Sequence, residues 1–262
     1  MTRLTAAAVL WEFCQDAAAP FNVNPLIHPG DSIFAYCVNA LPTPQEGVDY
    51  YFVDGNASAH KFADLLYREL GYSALESHPL LNVLEFASGY GCVTRHLNTH
   101  LRQASVTSCD IHPAAVDFIR NILGVHSIVS KAVPEELSFD TLFDVIFALS
   151  FFSHMPESTW GRWLRSLYRA LKPGGHLVFT THGRRSVELI PSKANCSFPE
   201  SGFFFIPSSE QGDLDVASYG TTYTTPEFVR NEIERCPGAQ LVFSSEGYWW
   251  SHQDVFIVKN GN

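Results

Sequence analysis

The sequence predicts an α/β fold: a seven-stranded, mostly parallel sheet with helices on both faces and an antiparallel C-terminal strand. Three observations lead there. Apolar runs of strand length alternate with helical stretches from Asn82 to Thr181, an order that right-handed crossovers turn into a parallel sheet. The run "DVIFAL" is almost wholly apolar, as a strand covered on both faces must be. Two late strand-like runs, "LVFSSEG" and "QDVFIV", suit a hairpin added to one edge.

Taken in order, residues 4–18 form an amphipathic first helix; its apolar run is broken by Glu12 and has no cleavage site of the kind that ends a signal peptide. From there to about Phe52 the chain is punctuated by Pro20, Pro25, Pro29, Gly30, Pro42, Pro44 and Gly47, and irregular structure is expected. A helical pattern starts at Ser58 as N-cap, with Phe62, Leu65, Leu66 and Leu70 on one face and Gly71 to end it. Strands are expected at 82–86, 105–109, 126–130, 144–149 and 175–181, with helices at 91–102, 113–123 and 158–171 between them. The interval 131–143 is too short and broken for a helix. Residues 182–225 are long, irregular and aromatic, with "GFFFIP" and "YGTTYTT" resembling short β pieces; a helix at 226–235 and strands at 239–246 and 253–258 follow. The organisation is an N-terminal helix and irregular cap over 1–57, then one domain over 58–262 with an inserted lid at about 182–225.

Hydrophobic residues make up 46% of the chain and charged residues 17%, which supports a sizeable core and argues against disorder. Twenty-seven acidic residues against seventeen Lys and Arg give a net charge of −10. The densest basic cluster is Arg184-Arg185, far short of the basic stripe that grips a polyphosphate backbone, so nucleic acid is not an expected partner. Cys14, Cys37, Cys92, Cys109, Cys196 and Cys236 form no C-x-x-C pair, which suggests neither a zinc site nor a disulfide framework but isolated thiols in a reducing compartment. No stretch approaches the ~18 uninterrupted apolar residues of a membrane span. A soluble cytoplasmic protein without a metal is expected.

The chemistry starts at "VLEFASGYGCVTRHL", a strand, a glycine-bearing loop and a helix start. The strand delivers the chain to the carboxyl edge of the sheet, where such folds bind ligands. Gly89 and Gly91 allow close approach of backbone to a ligand; they would equally serve to pack helix against strand. The next strand ends in Asp110, about twenty residues on, placed to accept hydrogen bonds from ribose hydroxyls or to cap the helix that begins near Pro113. Loop and acid together fit a nicotinamide dinucleotide or S-adenosylmethionine. The order Ala87-Ser88-Gly89-Tyr90-Gly91-Cys92 departs from the G-x-G-x-x-G of dinucleotide sites, and "LYRALKPGGHLVFTT" adds a Lys-Pro-Gly-Gly turn before a buried strand.

On these residues, 80–181 resemble a class I S-adenosylmethionine-dependent methyltransferase of the small-molecule type, with its Rossmann-like sheet. "VLEFASGYG" is similar to that family's first motif, "CDIHPAAV" to its second, "FDVIFALSFFSHMP" to its fourth and "LKPGGHLVFTT" to its fifth. Glu85 stands where methyltransferases carry an acid and dehydrogenases seldom do. The resemblance implies that Ala87, Gly89 and Gly91 line the methionine moiety, with Glu85 organising the loop. It also implies that Asp110 holds the ribose, that Ile111 lies against the adenine, and that Ala132 and Val133 flank its other side. Leu149 and Ser150 would face the methionine portion, and Tyr51 would close over the cofactor. Two departures stand out. Ala87 replaces a glycine, and Lys131 in "VSKAVPEEL" replaces the acid that often binds the adenine amine; a protonated lysine accepts no hydrogen bond.

Methyl transfer from a sulfonium is an in-line displacement in which alignment and exclusion of water carry much of the acceleration. A general base is needed only where the nucleophile must lose a proton. His154 after the fourth strand and His182 at the end of the fifth are the candidate catalytic residues, with His252 a third; Tyr219 and Tyr223 are placed to shape an acceptor pocket. The Asn/Asp-Pro-Pro-Tyr signature of base methylation is absent, the position reading "ALSFFS", and no carboxylate cluster follows the fourth strand. The expected activity is methyl transfer to a small-molecule acceptor. A non-catalytic S-adenosylmethionine-binding protein or regulatory subunit and a nicotinamide-dependent oxidoreductase are the alternatives.

Overall fold

The computed structural model describes residues 6–72, 80–189, 198–209, 211–212 and 214–262. In chain order its elements are α1 (Ala6–Ala18), α2 (Ser32–Ala40), α3 (Pro44–Asp64), β1 (Leu81–Phe86), α4 (Thr94–His100), β2 (Ala104–Asp110), α5 (Pro113–Phe118) and β3 (His126–Val129). They continue as β4 (Phe143–Ala148), α6 (Glu157–Arg169), β5 (Leu171–His182), α7 (Arg184–Glu188), β6 (Phe203–Ile206), β7 (Thr221–Thr224), α8 (Pro226–Glu234), β8 (Ala239–Trp249) and β9 (Gln253–Asn260). The fold is mixed α/β with a mostly parallel sheet flanked by helices, as expected. The chain divides into two compact units, one of residues 1–80 with 88–129 and one of 81–87 with 130–262.

In the first unit, β2 and β3 pair in parallel from Thr107 opposite His126 to Asp110 opposite Val129. The segment expected to be irregular up to Phe52 instead holds two helices. Thr43 and Glu46 explain the longer one. The Thr43 hydroxyl accepts from the Glu46 N–H at 3.2 Å and the Glu46 carboxylate from the Thr43 N–H at 3.1 Å, a reciprocal cap, while Pro44 supplies a helical φ in the first turn. Ser58, expected as the N-cap, is therefore buried inside α3. A similar cap starts α2, where Asp31 accepts from the Phe34 N–H at 2.9 Å. Cys14, Phe34, Cys37, Val48, Tyr51 and Phe52 make the core shared by these helices. Cys14, Cys37, Cys92, Cys109 and Cys236 form no disulfide, and Cys196 lies outside the described residues.

His96 on α4 is wholly buried against the edge of Phe21, and neither ring nitrogen has a hydrogen-bond partner among the described residues. Burial, with the Arg95 charge beside it, holds its pKa down to about 3. The unfolded chain takes up that proton near pH 6.5 and the folded chain refuses it. The contribution to stability is therefore present above pH 6.5 and lost as the pH falls toward 3. His96→Leu is expected to raise stability at pH 7 by about 1–3 kcal/mol, since it removes two unsatisfied buried nitrogens. It should also make the acid decline shallower, with His176 and His182, held at about 4 and about 3 mainly by burial, keeping the remainder. Thermal melts from pH 7 to pH 4 check this; an acid decline as steep as in the parent would refute it.

In the second unit β4 lies between β1 and β5, all parallel, and β9 runs antiparallel to β5 with β8 outside it. Val145, Ile146, Phe147 and Ala148 are fully buried, as are Leu177, Val178 and Phe179, which explains the unbroken apolar runs. The register jumps from Phe143 opposite Leu171 to Val145 opposite His176, so Lys172–Gly175 bulges out within β5. The Lys172 ammonium is 2.7 Å from the Asp144 carboxylate at that bulge. On α6, Trp160, Trp163, Leu164 and Leu167 are buried while Arg162 and Arg165 point outward, the 3.6-residue period of an amphipathic helix. The β pieces expected within 182–225 are β6 and β7, paired antiparallel from Phe203 opposite Thr224 to Ile206 opposite Thr221. Among the described residues no helix is long and apolar enough to cross a membrane.

Candidate active site

In the first unit the glycine loop is built around Asp110. The Gly89 N–H donates to one carboxylate oxygen at 2.7 Å, and the other accepts from the His112 N–H at 2.9 Å with the His112 Nδ1 at 2.9 Å. Ser108 donates to the Ser88 hydroxyl at 2.6 Å and the Ser88 N–H to the Cys109 carbonyl at 3.2 Å, fastening the loop to β2. Gly89 has φ +54°, and a Cβ added there would meet nothing within 4 Å, so the loop leaves open space on that side. Gly91, at φ +85°, is a different case: a Cβ would lie 2.6 Å from Leu123, which makes it a packing glycine as well as a turning one. Tyr90 stacks on His28 at 4.6 Å and lies 6.5 Å from His112. Ile111 is half-buried directly after Asp110.

Arg95 supports this loop from behind. Its guanidinium donates to the Gly91 carbonyl at 3.0 Å, to the Asn24 and Leu26 carbonyls at 2.8 and 3.1 Å, and to the Tyr51 hydroxyl at 3.4 Å. Tyr51 in turn donates to Asp31 at 2.7 Å and is only 1% exposed. Tyr51 thus belongs to the helical core, and its link to the loop runs through Arg95. Neither Arg95 nor Asp31 was expected from sequence; "TRHL" placed a charge on the buried face of a helix, the one available signal.

In the second unit Glu85 is buried near the end of β1, opposite Phe147 of β4. Ala87 follows with φ +60°, in the left-handed region. A non-glycine residue there costs about 1–2 kcal/mol, so the departure from glycine is strained. Ala87→Gly relieves that strain but makes the unfolded chain freer by roughly 0.4–1 kcal/mol. A net gain of about 0.5–1 kcal/mol is expected, checked by urea unfolding; a loss would mean that the alanine methyl contributes packing that outweighs the strain. Ala132 and Val133 are exposed, and Leu149 and Ser150 are half-buried after β4.

The histidines converge in the same unit. Parallel β4 and β5 end, and antiparallel β9 begins, at one edge; His182 pairs with Tyr223 of β7 and Gln253 of β9 in a single row. His154 is buried, with Nδ1 2.7 Å from the Gly220 carbonyl and its ring stacked on Tyr219 at 4.5 Å and 4°. A carbonyl only accepts, so Nδ1 carries a proton, and in the neutral ring Nε2 is the basic nitrogen. The Gly220 N–H returns a bond to the His154 carbonyl at 3.0 Å, and the Thr222 N–H bonds the Ser153 carbonyl at 2.7 Å, stitching the β4–α6 turn to the start of β7. The His182 ring centre is 6.1 Å from that of His154 and 5.8 Å from that of His252. Burial, then the two neighbouring histidines, pushes His182 down to about 3, so it is neutral at ordinary pH. Burial also lowers His252, whose Nδ1 is 3.0 Å from the Ser186 hydroxyl. Among the described residues no group of histidines, cysteines and acids is arranged to hold a metal.

Residues 84–177 match the model of a methyltransferase domain family. Over that stretch the chain is similar to a methyltransferase domain, and its mostly parallel α/β sheet is the fold of the solved structures described next. It is 28% identical over 134 residues to Nodulation protein S of Rhizobium tropici, a match covering 50% of this chain and 54% of that protein, so it spans about half the length of this curated relative. Among solved structures, an S-adenosylmethionine-dependent methyltransferase of Clostridium acetobutylicum superposes with a TM-score of 0.55 at 13% identity, over 77% of this chain and 92% of that one. An amino pentose methyltransferase of Micromonospora echinaspora gives a TM-score of 0.54 at 15% identity, over 79% and 91%. At these identities the structures establish the fold.

Proposed function

We propose that the protein transfers a methyl group from S-adenosylmethionine to a small-molecule acceptor. The observation that carries this reading is the Asp110–Gly89 clasp beneath an open loop, inside the stretch that matches the methyltransferase family. The residues fit the cofactor. Gly89 leaves room where a side chain would intrude, and Asp110 has about one of its four acceptor positions uncommitted after Gly89 and His112. A ribose that engages Asp110 through both hydroxyls displaces the His112 ring. Ile111, Ala132 and Val133 are assigned to the adenine, and Glu85, Ala87, Gly89, Gly91, Leu149 and Ser150 to the methionine end. The bound cofactor supplies a methyl on a sulfonium whose leaving group departs neutral.

His154 is assigned as general base. Its Nδ1–H is fixed on Gly220 and its ring on Tyr219, which sets the plane of the imidazole; in the neutral ring Nε2 is the nitrogen that would take a proton from a hydroxyl or ammonium acceptor. His182, neutral and flanked by two imidazoles, is assigned to orient the acceptor rather than to move its proton. The absence of a basic stripe in a chain of net charge −10, and the aromatic, histidine-lined surroundings of His154, support a small acceptor over a nucleic acid.

Isothermal titration with S-adenosylhomocysteine and with NADH, followed by labelled methyl transfer to a panel of small amines and hydroxyl compounds, tests the reading. Stoichiometric binding of the homocysteine but not NADH, with turnover of at least one acceptor, is the expected result. Binding without turnover across the panel would favour a regulatory subunit, and NADH binding alone would favour an oxidoreductase.

A further inference from the structure

Ser150, the last residue of the run "ALS", has φ +55°, a left-handed conformation that a serine adopts only under constraint. Two hydrogen-bonded arms supply the constraint. In the first, the Ser150 N–H donates to the Thr180 hydroxyl at 2.8 Å, and Thr180 donates to Gln253 Oε1 at 2.7 Å. In the second, Gln253 Nε2 donates to the Ser150 hydroxyl at 2.9 Å, which is 3.0 Å from the Ser153 hydroxyl, and Ser153 donates to the Ser150 carbonyl at 2.8 Å.

The direction of every bond follows from the backbone of Ser150. Its carbonyl can only accept, so Ser153 commits its proton there and the Ser150 hydroxyl must donate to Ser153. Its N–H can only donate, so the Thr180 proton is free to go on to Gln253. The amide of Gln253, accepting from one arm and donating to the other, closes the circuit. Thr180 and Ser153 are fully buried and Gln253 is 2% exposed, so no water competes for these bonds. Gln253 opens β9, whose next apolar residues run from Val255 to Val258. Among the described residues the polar partners of this buried amide lie in this circuit, and the circuit ends on Ser150, the left-handed residue of the β4–α6 turn.

We propose that Gln253 is a positioning residue for the methyl-transfer site: it holds Ser150 left-handed, and so sets the turn that carries Leu149 and Ser150 toward the cofactor and leads into His154. This rests on the reading of the site given above. It extends the site to a strand far along the chain that no sequence motif marks.

The test is calorimetric binding of S-adenosylhomocysteine to the parent, Gln253→Met, Ser150→Gly and the double variant, with a thermal melt of each. Gln253→Met keeps the volume but breaks both arms, and is expected to weaken binding about tenfold while the protein stays folded. Glycine takes the left-handed conformation unaided. Adding Ser150→Gly to Gln253→Met should therefore restore most of the affinity, a strongly non-additive pair. A folded Gln253→Met that binds like the parent, or two losses that simply add, overturns the proposal. If Gln253→Met does not fold, Thr180→Val cuts only the first arm; a loss of about threefold rescued by Ser150→Gly supports the proposal, and no loss overturns it. A parent that binds no S-adenosylhomocysteine rejects the cofactor assignment itself, and this inference falls with it; a parent that binds leaves the variants to decide on Gln253 alone.

Discussion

Asp110→Ala is expected to weaken S-adenosylhomocysteine binding at least a hundredfold, the largest effect of any single substitution in the first unit. Two losses combine. Hydrogen bonds between a carboxylate and ligand hydroxyls are worth about 1.5–3 kcal/mol each. The same carboxylate also holds the Gly89 N–H at 2.7 Å, so its removal leaves that loop N–H without its acceptor. Asp110→Asn separates the two contributions. The amide oxygen can still accept from Gly89, while the ribose meets one acceptor in place of a charge, and an intermediate loss of roughly tenfold follows. Titration calorimetry on the three proteins measures this. An alanine variant that binds within threefold of the parent would reduce Asp110 to the lesser role of tying the Gly89 loop to His112 ahead of α5.

His154→Ala is expected to lower the rate of methyl transfer by about 10²–10⁴, the range of a positioned general base, with the affinity for S-adenosylhomocysteine unchanged within about threefold. The separation matters because His154 is also structural. It bonds the Gly220 carbonyl and stacks on Tyr219, so an unstable variant would lose both activities together. His154→Phe keeps the stack and removes the base, and should be as slow as the alanine variant. Equal rates for the parent and the phenylalanine variant would mean that the acceptor attacks with its own lone pair, and that His154 only shapes the turn.

Much of the parallel sheet was legible because each strand is a short apolar run between recognisable helices. The strands expected at 144–149 and 175–181 read clearly for that reason, as did the β8–β9 pair at the end, although β5 begins earlier, at Leu171, where a helix end and a turn were expected. The cap was misread because proline was taken as punctuation. Pro44 instead opens a helix, and the Thr43–Glu46 reciprocal cap that reveals this was present in the sequence. Asp110 and the glycine loop could be read as neighbours because a glycine turn after one strand and an acid at the end of the next keep a regular spacing, and the Gly89–Asp110 bond brings them together. The left-handed backbone of Ala87 and Ser150 could not, since alanine and serine carry no sign of positive φ. Gln253, Thr180 and Arg95 escaped for another reason: their partners lie 103, 73 and 71 residues away at the extremes, and only the folded chain brings such groups together.

Arg95 has a practical consequence for anyone preparing this protein. All the recognisable motifs lie beyond residue 80, which invites trimming the chain to its familiar half for expression. The carbonyls of Asn24 and Leu26 and the hydroxyl of Tyr51, all of which receive the Arg95 guanidinium, would go with the discarded part. What remained would leave the Arg95 guanidinium with the Gly91 carbonyl alone out of these four acceptors. A trimmed protein of that kind can keep every signature residue and still be the wrong reagent for a binding assay.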